Sequence, residues 1–287
     1  MIKLNEIIIA LSKIPKFGPT SVKQMMNNLD HESSLDIRDI HFELKKEISD
    51  LNINNLQKYL DSAKYEIERC ENHSIAIKNY LDSSFPDSLK EINDFPLIIY
   101  IRGSGELLNK HDQNIAIIGT RKPSEIGKQL AFNTAEILSK KGNSIVSGLA
   151  LGCDTFAHKG CLDSGGLTVA VLAHGLDTIS PSSNTKLASQ IIEKGGVLVS
   201  EYSIETPPQN FMYIQRNRIQ SALAKAVILI ESEINGGSMK TIRFAEKQGK
   251  EIWVYHPDTF SKMTSGNKKL IQTLNKTNKK QISFLDP

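Results

Sequence analysis

Cysteine is scarce in this chain of 287 residues: Cys70, Cys153 and Cys161 are odd in number, and none falls in a CxxC pair. Neither a disulfide framework nor a zinc site is indicated, and all three are expected to be reduced thiols. Long apolar runs are missing too. Stretches such as Ala226–Ile230 and Leu167–Ala173 fall far short of the ~20 residues that a membrane span needs. The N-terminus also lacks a charged segment followed by an apolar one and a small-residue cleavage site. A cytoplasmic chain with no membrane partner is therefore expected. Neither sign of charge dominates: 35 Lys and Arg against 32 Asp and Glu leave +3, too mild a balance to mark a nucleic-acid protein. Its distribution is less even. Lys262, Lys268, Lys269, Lys276, Lys279 and Lys280 share one stretch without an acidic residue. That gives the tail a local positive field, although such Lys/Asn/Thr-rich ends also read as solvated and partly disordered.

Residues 1–75 read as a small helical module. Ile2, Leu4, Ile7, Ile8, Leu11 and Ile14 approximate one helical face, and "IPKFGPTSVKQMM" sets a Gly-Pro turn before a second amphipathic start. A second domain is expected over residues 76–260, with Pro86 and Pro96 as breakers and Leu97–Ile101 as its first strand candidate. Short β-branched runs then recur at Ile115–Ile118, Ser144–Val146, Leu167–Leu172, Val197–Val199, Ala226–Ile230 and Glu251–Tyr255, with helical patterns between most of them. Continuous apolar strands alternating with helices predict an α/β fold, a doubly wound and mostly parallel sheet covered on both faces. Residues 261–287 are left as the Lys-rich tail. In such a sheet ligands gather at the carboxyl ends of the strands.

Four loops at those ends combine glycine, hydroxyl residues and groups able to pair with an anion. In "GTRKPS", Gly119 permits close approach and Ser124 can cap the next helix, whose free N–H groups attract phosphate. Thr120, Arg121 and Lys122 lie beside it, and Arg121 offers a bidentate fork. The pattern is not GxGxxG, so a dinucleotide is disfavoured. "SGLALGCD" carries Ser147, Gly148 and Asp154, a helix N-cap candidate, with His158 one turn into that helix as a donor or a packed core residue. In "AHGLDTISPSSN", Asp177 reads as a turn residue. "NGGSMKT" repeats the first loop's chemistry with Gly237, Ser238, Lys240 and Thr241.

The stretch "FMYIQRNRIQSALAK" places Tyr213 one helical turn before Arg216 and Asn217, with Arg218 following. An aromatic platform, phosphate partners and a base-edge reader suit single-stranded nucleic acid. The alternative is structural: the arginines pair with Glu201 and Glu205, and Tyr213 belongs to the core.

Taken in order, "IAIIGTRKPSEIG", "SGLALGCDTFAH", "VAVLAHGLDTISPSSNTKLASQII", "GGVLVSEYSIETPP", "YIQRNRIQSALAKAVILIES" and "GGSMKTIRFAEKQGKEIWV" resemble the DNA-processing protein A family (DprA, also called Smf). "FPDSLKEINDFPLIIYIRG" is similar to that family's entry into its Rossmann-like domain. The resemblance implies a bacterial cytoplasmic protein, not an enzyme, that binds single-stranded DNA in natural transformation and loads the RecA recombinase as a homodimer. It implies no cofactor. The family's Gly-Ser-Arg loop falls on Gly119, Thr120 and Arg121, its Arg-Asn-Arg motif on Arg216, Asn217 and Arg218, and its aromatic on Tyr213. Gly236-Gly237-Ser238 replaces Ser-Gly-Ser, and Lys240 stands where the family has an apolar residue. "PKFGPTSV" resembles a helix-hairpin-helix turn with Lys16 at the first glycine position, so no DNA contact is expected there. No counterpart of the family's winged-helix domain is expected here.

The expected site therefore joins Arg121, Arg216, Arg218 and Lys240 around a phosphate, with helix N-termini after Ser124 and Gly237 as further donors, Tyr213 stacking a base and Asn217 orienting it. No catalytic group and no metal ligand is assigned. Two alternatives keep the fold and change the ligand. A nucleotide-cleaving phosphoribohydrolase carries Gly-Gly-x-Gly-Thr-x-x-Glu, which Gly236, Gly237, Thr241 and Glu246 match only in part. A free-nucleotide sensor would bind without strand-length dependence.

Overall fold

The computed structural model describes residues 2–29, 35–48 and 52–276. Two compact units divide the chain: Met1–Phe85 with Pro96–Tyr100, and Pro86–Phe95 with Ile101–Pro287. The first contains helices α1 (Leu4–Ser12), α2 (Pro19–Asn28), α3 (Ile37–Lys45) and α4 (Ile53–Asn72) and strand β1 (Ala76–Asn79). Helix α1 buries Ile7, Ile8 and Leu11, as the sequence pattern predicts, and packs on α4, which buries Leu56, Leu60 and Ala63. Pro19 occupies the first turn of α2, where its missing N–H costs nothing. Lys16 takes φ +66°, the left-handed conformation that a glycine would adopt at that position of the turn.

Helix α5 (Asp87–Lys90) opens the second unit, and β2 (Ile98–Gly103) runs from one unit into the other. Six further strands follow: β3 (Asn114–Ile118), β4 (Ser144–Ser147), β5 (Thr168–Leu172), β6 (Val197–Ser200), β7 (Ala226–Leu229) and β8 (Glu251–Val254). Each begins and ends within one residue of its apolar run in the sequence. They lie in the order β6-β5-β4-β3-β7-β8, every neighbouring pair parallel. All residues of β3 to β7 are buried, because helices cover both faces: α6 (Glu125–Lys140), α7 (Cys153–Asp163), α8 (Thr185–Glu193), α9 (Asn210–Ala222) and α10 (Gly237–Lys247). The core gathers Ile115, Ile117, Ile145 and Ile228 of the sheet against Leu130, Ala131 and Ala157 of the helices.

The chain leaves β3 for β4 on one side and returns through β7 on the other. That reversal opens a crevice beyond the carboxyl ends of β3 and β7, the position at which open α/β sheets bind ligands.

The Lys-rich segment differs from the solvated tail that composition predicts. A 3-10 turn over Lys262–Thr264 leads into α11 (Ser265–Lys276), and Asn267 is fully buried. Its Nδ2 donates to the carbonyls of Ile230 at 2.7 Å and Tyr255 at 3.0 Å, while its Oδ1 accepts from the Ser232 amide at 2.9 Å. Three backbone groups past the ends of β7 and β8 thus find their partners in one side chain. Lys279 and Lys280 lie outside the described residues.

Candidate functional site

Past β3 the chain turns at Gly119, where a Cβ would meet Cys153 Sγ at 2.3 Å. The glycine therefore admits α7 close to the strand. Ser124 caps α6 as expected, its Oγ accepting from the Gly127 amide at 3.0 Å. The same N-terminus is already occupied by a protein anion. Glu231, 3% exposed, accepts from Ser124 N at 2.8 Å and from Ser124 Oγ at 2.6 Å. A carboxylate at a helix N-terminus satisfies the free amides and the dipole, so α6 is not open to an outside phosphate as its sequence suggests.

Asp154 is likewise not a helix cap. Gly152 takes that position in α7, and Asp154 Oδ2 accepts from the amides of Gly148 at 3.1 Å and Ala150 at 3.4 Å, clamping the loop. Burial raises its carboxyl pKa, and the Arg216 guanidinium opposes the shift. Arg216 is 5% exposed; its Nη1 donates to Gly148 O at 2.9 Å and to Val171 O, and its Nε donates to Asn217 Oδ1 at 3.2 Å. A Cβ at Gly148 would lie 2.5 Å from that guanidinium, so a side chain there would displace Arg216. Ser147 is fully buried and donates to Ile117 O at 2.8 Å. Asp177 is the turn residue expected, accepting from the Glu205 amide at 2.8 Å.

His158 belongs to the core. It is fully buried, with Nδ1 2.7 Å from Thr168 Oγ1, and burial, aided by Arg216, lowers its pKa to about 3. A histidine held neutral in the fold contributes stability that is complete above its ordinary pKa of 6.5 and declines as the pH falls from there toward 3. Urea titrations between those limits are expected to lose about 1.4 kcal/mol per pH unit through this group, and His158→Asn is expected to flatten that slope. An unchanged slope in the variant would assign the acid sensitivity elsewhere.

Helix α9 divides its two arginines. Arg218 lies on the far side from the cavity, its Nη1 and Nη2 bonding the Glu201 carboxylate at 2.7 and 2.6 Å and its Nε donating to Asp94 O at 2.8 Å. This is the structural alternative for that residue, with Glu201 as the partner. Tyr213, Arg216, Asn217 and Gln220 share the opposite face and line a cavity of about 410 Å³ at the β3/β7 switch. Gly119, Thr120 and Arg121 reach it from the β3 loop, and Gly237, Ser238 and Lys240 from α10. Lys122, Ser147, Gly148 and Arg218 do not line it.

Arg121 is exposed and its guanidinium lies 4.9 Å from the Tyr213 ring centroid, a cation–π stack. Among the described residues neither Arg121 nor Lys240 makes an ion pair. At Gly237, the first residue of α10, a Cβ would meet nothing within 4 Å. Two cations, an aromatic face and an unblocked helix N-terminus thus meet at one cavity, a combination suited to a phosphate joined to a flat ring. Glu246 is exposed on α10 and does not line it. No group of three or more His, Cys, Asp or Glu able to hold a metal occurs among the described residues.

A family model, "DNA recombination-mediator protein A", matches residues 76–285. The chain belongs to the DNA recombination-mediator protein A family. Protein Smf of Escherichia coli is 36% identical over 198 residues, covering 69% of this chain and 51% of that one. DNA processing protein DprA of Bacillus subtilis is 37% identical over 188 residues, 66% of this chain and 63% of its own. The chain thus spans about half to two thirds of the length of these curated relatives. Among solved structures, DprA of Streptococcus pneumoniae superposes with a TM-score of 0.73 at 26% identity, over 99% of this chain and 91% of that chain. DprA of Helicobacter pylori, whose structure describes a single-stranded DNA binding mode, gives 0.62 at 31% identity over 69% and 87%. Both agree with a Rossmann-like sheet. The family match runs through α11.

No helix among the described residues is long and apolar enough to cross a membrane.

The sequence did not point to Glu231, Asp154 as a loop clamp, or Gln220. Gln220 had a legible signal, since it stands three, four and seven residues after Asn217, Arg216 and Tyr213. Glu231 had none: it follows an apolar strand, and its partner lies 107 positions away.

Proposed function

We propose that the cavity at the β3/β7 switch binds single-stranded DNA. The observation that carries this reading is the Arg121–Tyr213 stack at a cavity that also receives Lys240 and the N-terminus of α10. Arg121 and Lys240 hold backbone phosphate, with Gly237 and Ser238 amides as further donors. Thr120 adds a hydroxyl, Tyr213 stacks a base on the ring face away from Arg121, and Asn217 orients that base. Arg216 supports the site from beneath by fixing Gly148 and Asn217. The Helicobacter pylori relative supports the ligand class. Binding rather than bond cleavage is the activity proposed, because the one glutamate of the partial phosphoribohydrolase match stands off the cavity.

In the cell this binding serves recombination: a cytoplasmic protein that shields incoming single strands and loads the RecA recombinase during natural transformation. A homodimer would present two such cavities to one strand, and their linkage raises affinity beyond that of either.

Tyr213→Ala is expected to weaken binding to a fluorescent single strand by roughly 5- to 100-fold, the range for one lost base stack. Tyr213→Phe, which keeps the ring and drops only a 3.4 Å contact with Ser180 Oγ, is expected to stay within about twofold. Equal losses in the two variants would show that Tyr213 acts through its hydroxyl and not as a platform.

A further inference from the structure

Glu231 lies just past the end of β7, does not line the cavity, and grips both ends of the segment that carries Arg121. Its backbone carbonyl accepts from the Thr120 amide at 2.7 Å, and its carboxylate accepts from the Ser124 amide at 2.8 Å and hydroxyl at 2.6 Å. Arg121 therefore stands on a short span that is pinned at each end to the neighbouring strand.

The bond to the Ser124 amide has a local equivalent that this sequence does not use. In a capping box, a carboxylate three positions into the helix reaches back to the amide of the cap residue. Here that position is Gly127, which has no side chain, and the carboxylate comes from another strand. A local box would satisfy α6 and leave the loop before it loose; the long-range one ties that loop to β7. The fold also keeps space for the carboxylate. A Cβ at Gly127 would stand 2.3 Å from Glu231 Oε2 and 2.5 Å from its Cδ. Glycine is a poor helix former and Gly127 has no positive φ that calls for one, so the missing side chain serves the carboxylate.

We infer that Glu231 is a positioning residue for the DNA strand: it sets where Arg121 meets a backbone phosphate and does not touch the strand itself. The inference rests on the single-strand reading above. An arginine on a fixed loop loses less freedom on binding than one on a loose loop. The negative charge of Glu231 faces the positive end of α6, which offsets its repulsion of a phosphate.

The test is a double-mutant cycle with the full chain, read by fluorescence anisotropy on a labelled oligo-dT strand at several salt concentrations. Glu231→Ala is expected to weaken binding about three- to tenfold and to move the slope of log K against log salt toward that of Arg121→Ala. In the Arg121→Ala background the same change is expected to cost less than about twofold, because the residue it positions is gone. Should Glu231→Ala melt well below wild type, Gly127→Ala carries the test. It adds a helix-favouring residue whose Cβ displaces the carboxylate, and the same loss with the same dependence on Arg121 is expected. Losses that are equal with and without Arg121, or wild-type binding by both variants, would overturn the positioning role while leaving single-strand binding intact. Wild type that does not bind the strand would overturn the single-strand reading itself.

Discussion

Arg121→Ala is expected to weaken single-strand binding by about 10- to 30-fold, the cost of a truncated arginine anchor, and to flatten the salt dependence. Each backbone phosphate that the protein no longer neutralises on a single strand lowers the slope of log K against log salt by about 0.7. The side chain is exposed and makes no ion pair among the described residues, so its removal leaves no buried group without a partner. Thermal stability should therefore hold while affinity falls. Lys122→Ala one position later is a matched control: that lysine is exposed too but does not line the cavity, and only a small, slope-like loss is expected from its long-range charge. Titrations of both variants at several salt concentrations separate the two. An Arg121→Ala slope equal to wild type would remove Arg121 from the phosphate site.

Glu201→Ala should produce the opposite pattern, a large loss of stability with little loss of binding. Arg218 has a side chain 7% exposed, and Glu201 takes both of its terminal nitrogens; the remaining carboxylate, Asp94 at 3.2 Å, is 59% exposed. Removing one partner of a buried ion pair leaves an uncompensated charge and typically costs about 3–5 kcal/mol. At about 2–4 °C per kcal/mol for domains of this size, the melting temperature should fall by roughly 6–20 °C. A freed Arg218 also discriminates between its two possible roles. Were it a phosphate ligand restrained by Glu201, the variant would bind single strands more tightly than wild type at low temperature; the geometry predicts no gain, because Arg218 faces away from the cavity. A melting temperature within about 2 °C of wild type would show that the pair contributes little.

Most of the sheet was legible because its strands are short, β-branched and buried on both sides, so each appears as a bounded apolar run whose position hardly depends on context. Helix starts were legible where the cap is local: Ser124 bonds an amide three positions on. The roles of charged residues were not, because long-range partners decide them. Arg216, Asn217 and Arg218 are adjacent in sequence, yet the helical rotation between them sends one arginine under the cavity and the other to Glu201. Asp154 fits the sequence pattern of a helix cap, but the chain reverses at Gly152 with φ +79°, which carries the carboxylate back onto its own loop. Glu231, just past the end of the neighbouring strand β7, disables one expected phosphate site. What survives from the sequence is the pairing of the first and fourth loops, brought together because β3 and β7 are neighbours.

The central claim, that the cavity at the β3/β7 switch binds single-stranded DNA, is tested most directly by fluorescence anisotropy on labelled single strands of increasing length. Each complex would be competed with the same sequence as duplex and with mononucleotides. Affinity that rises with strand length, falls with salt and yields poorly to duplex is the predicted result. Displacement by a mononucleotide with equal affinity at every strand length would contradict it and make the cavity a nucleotide pocket.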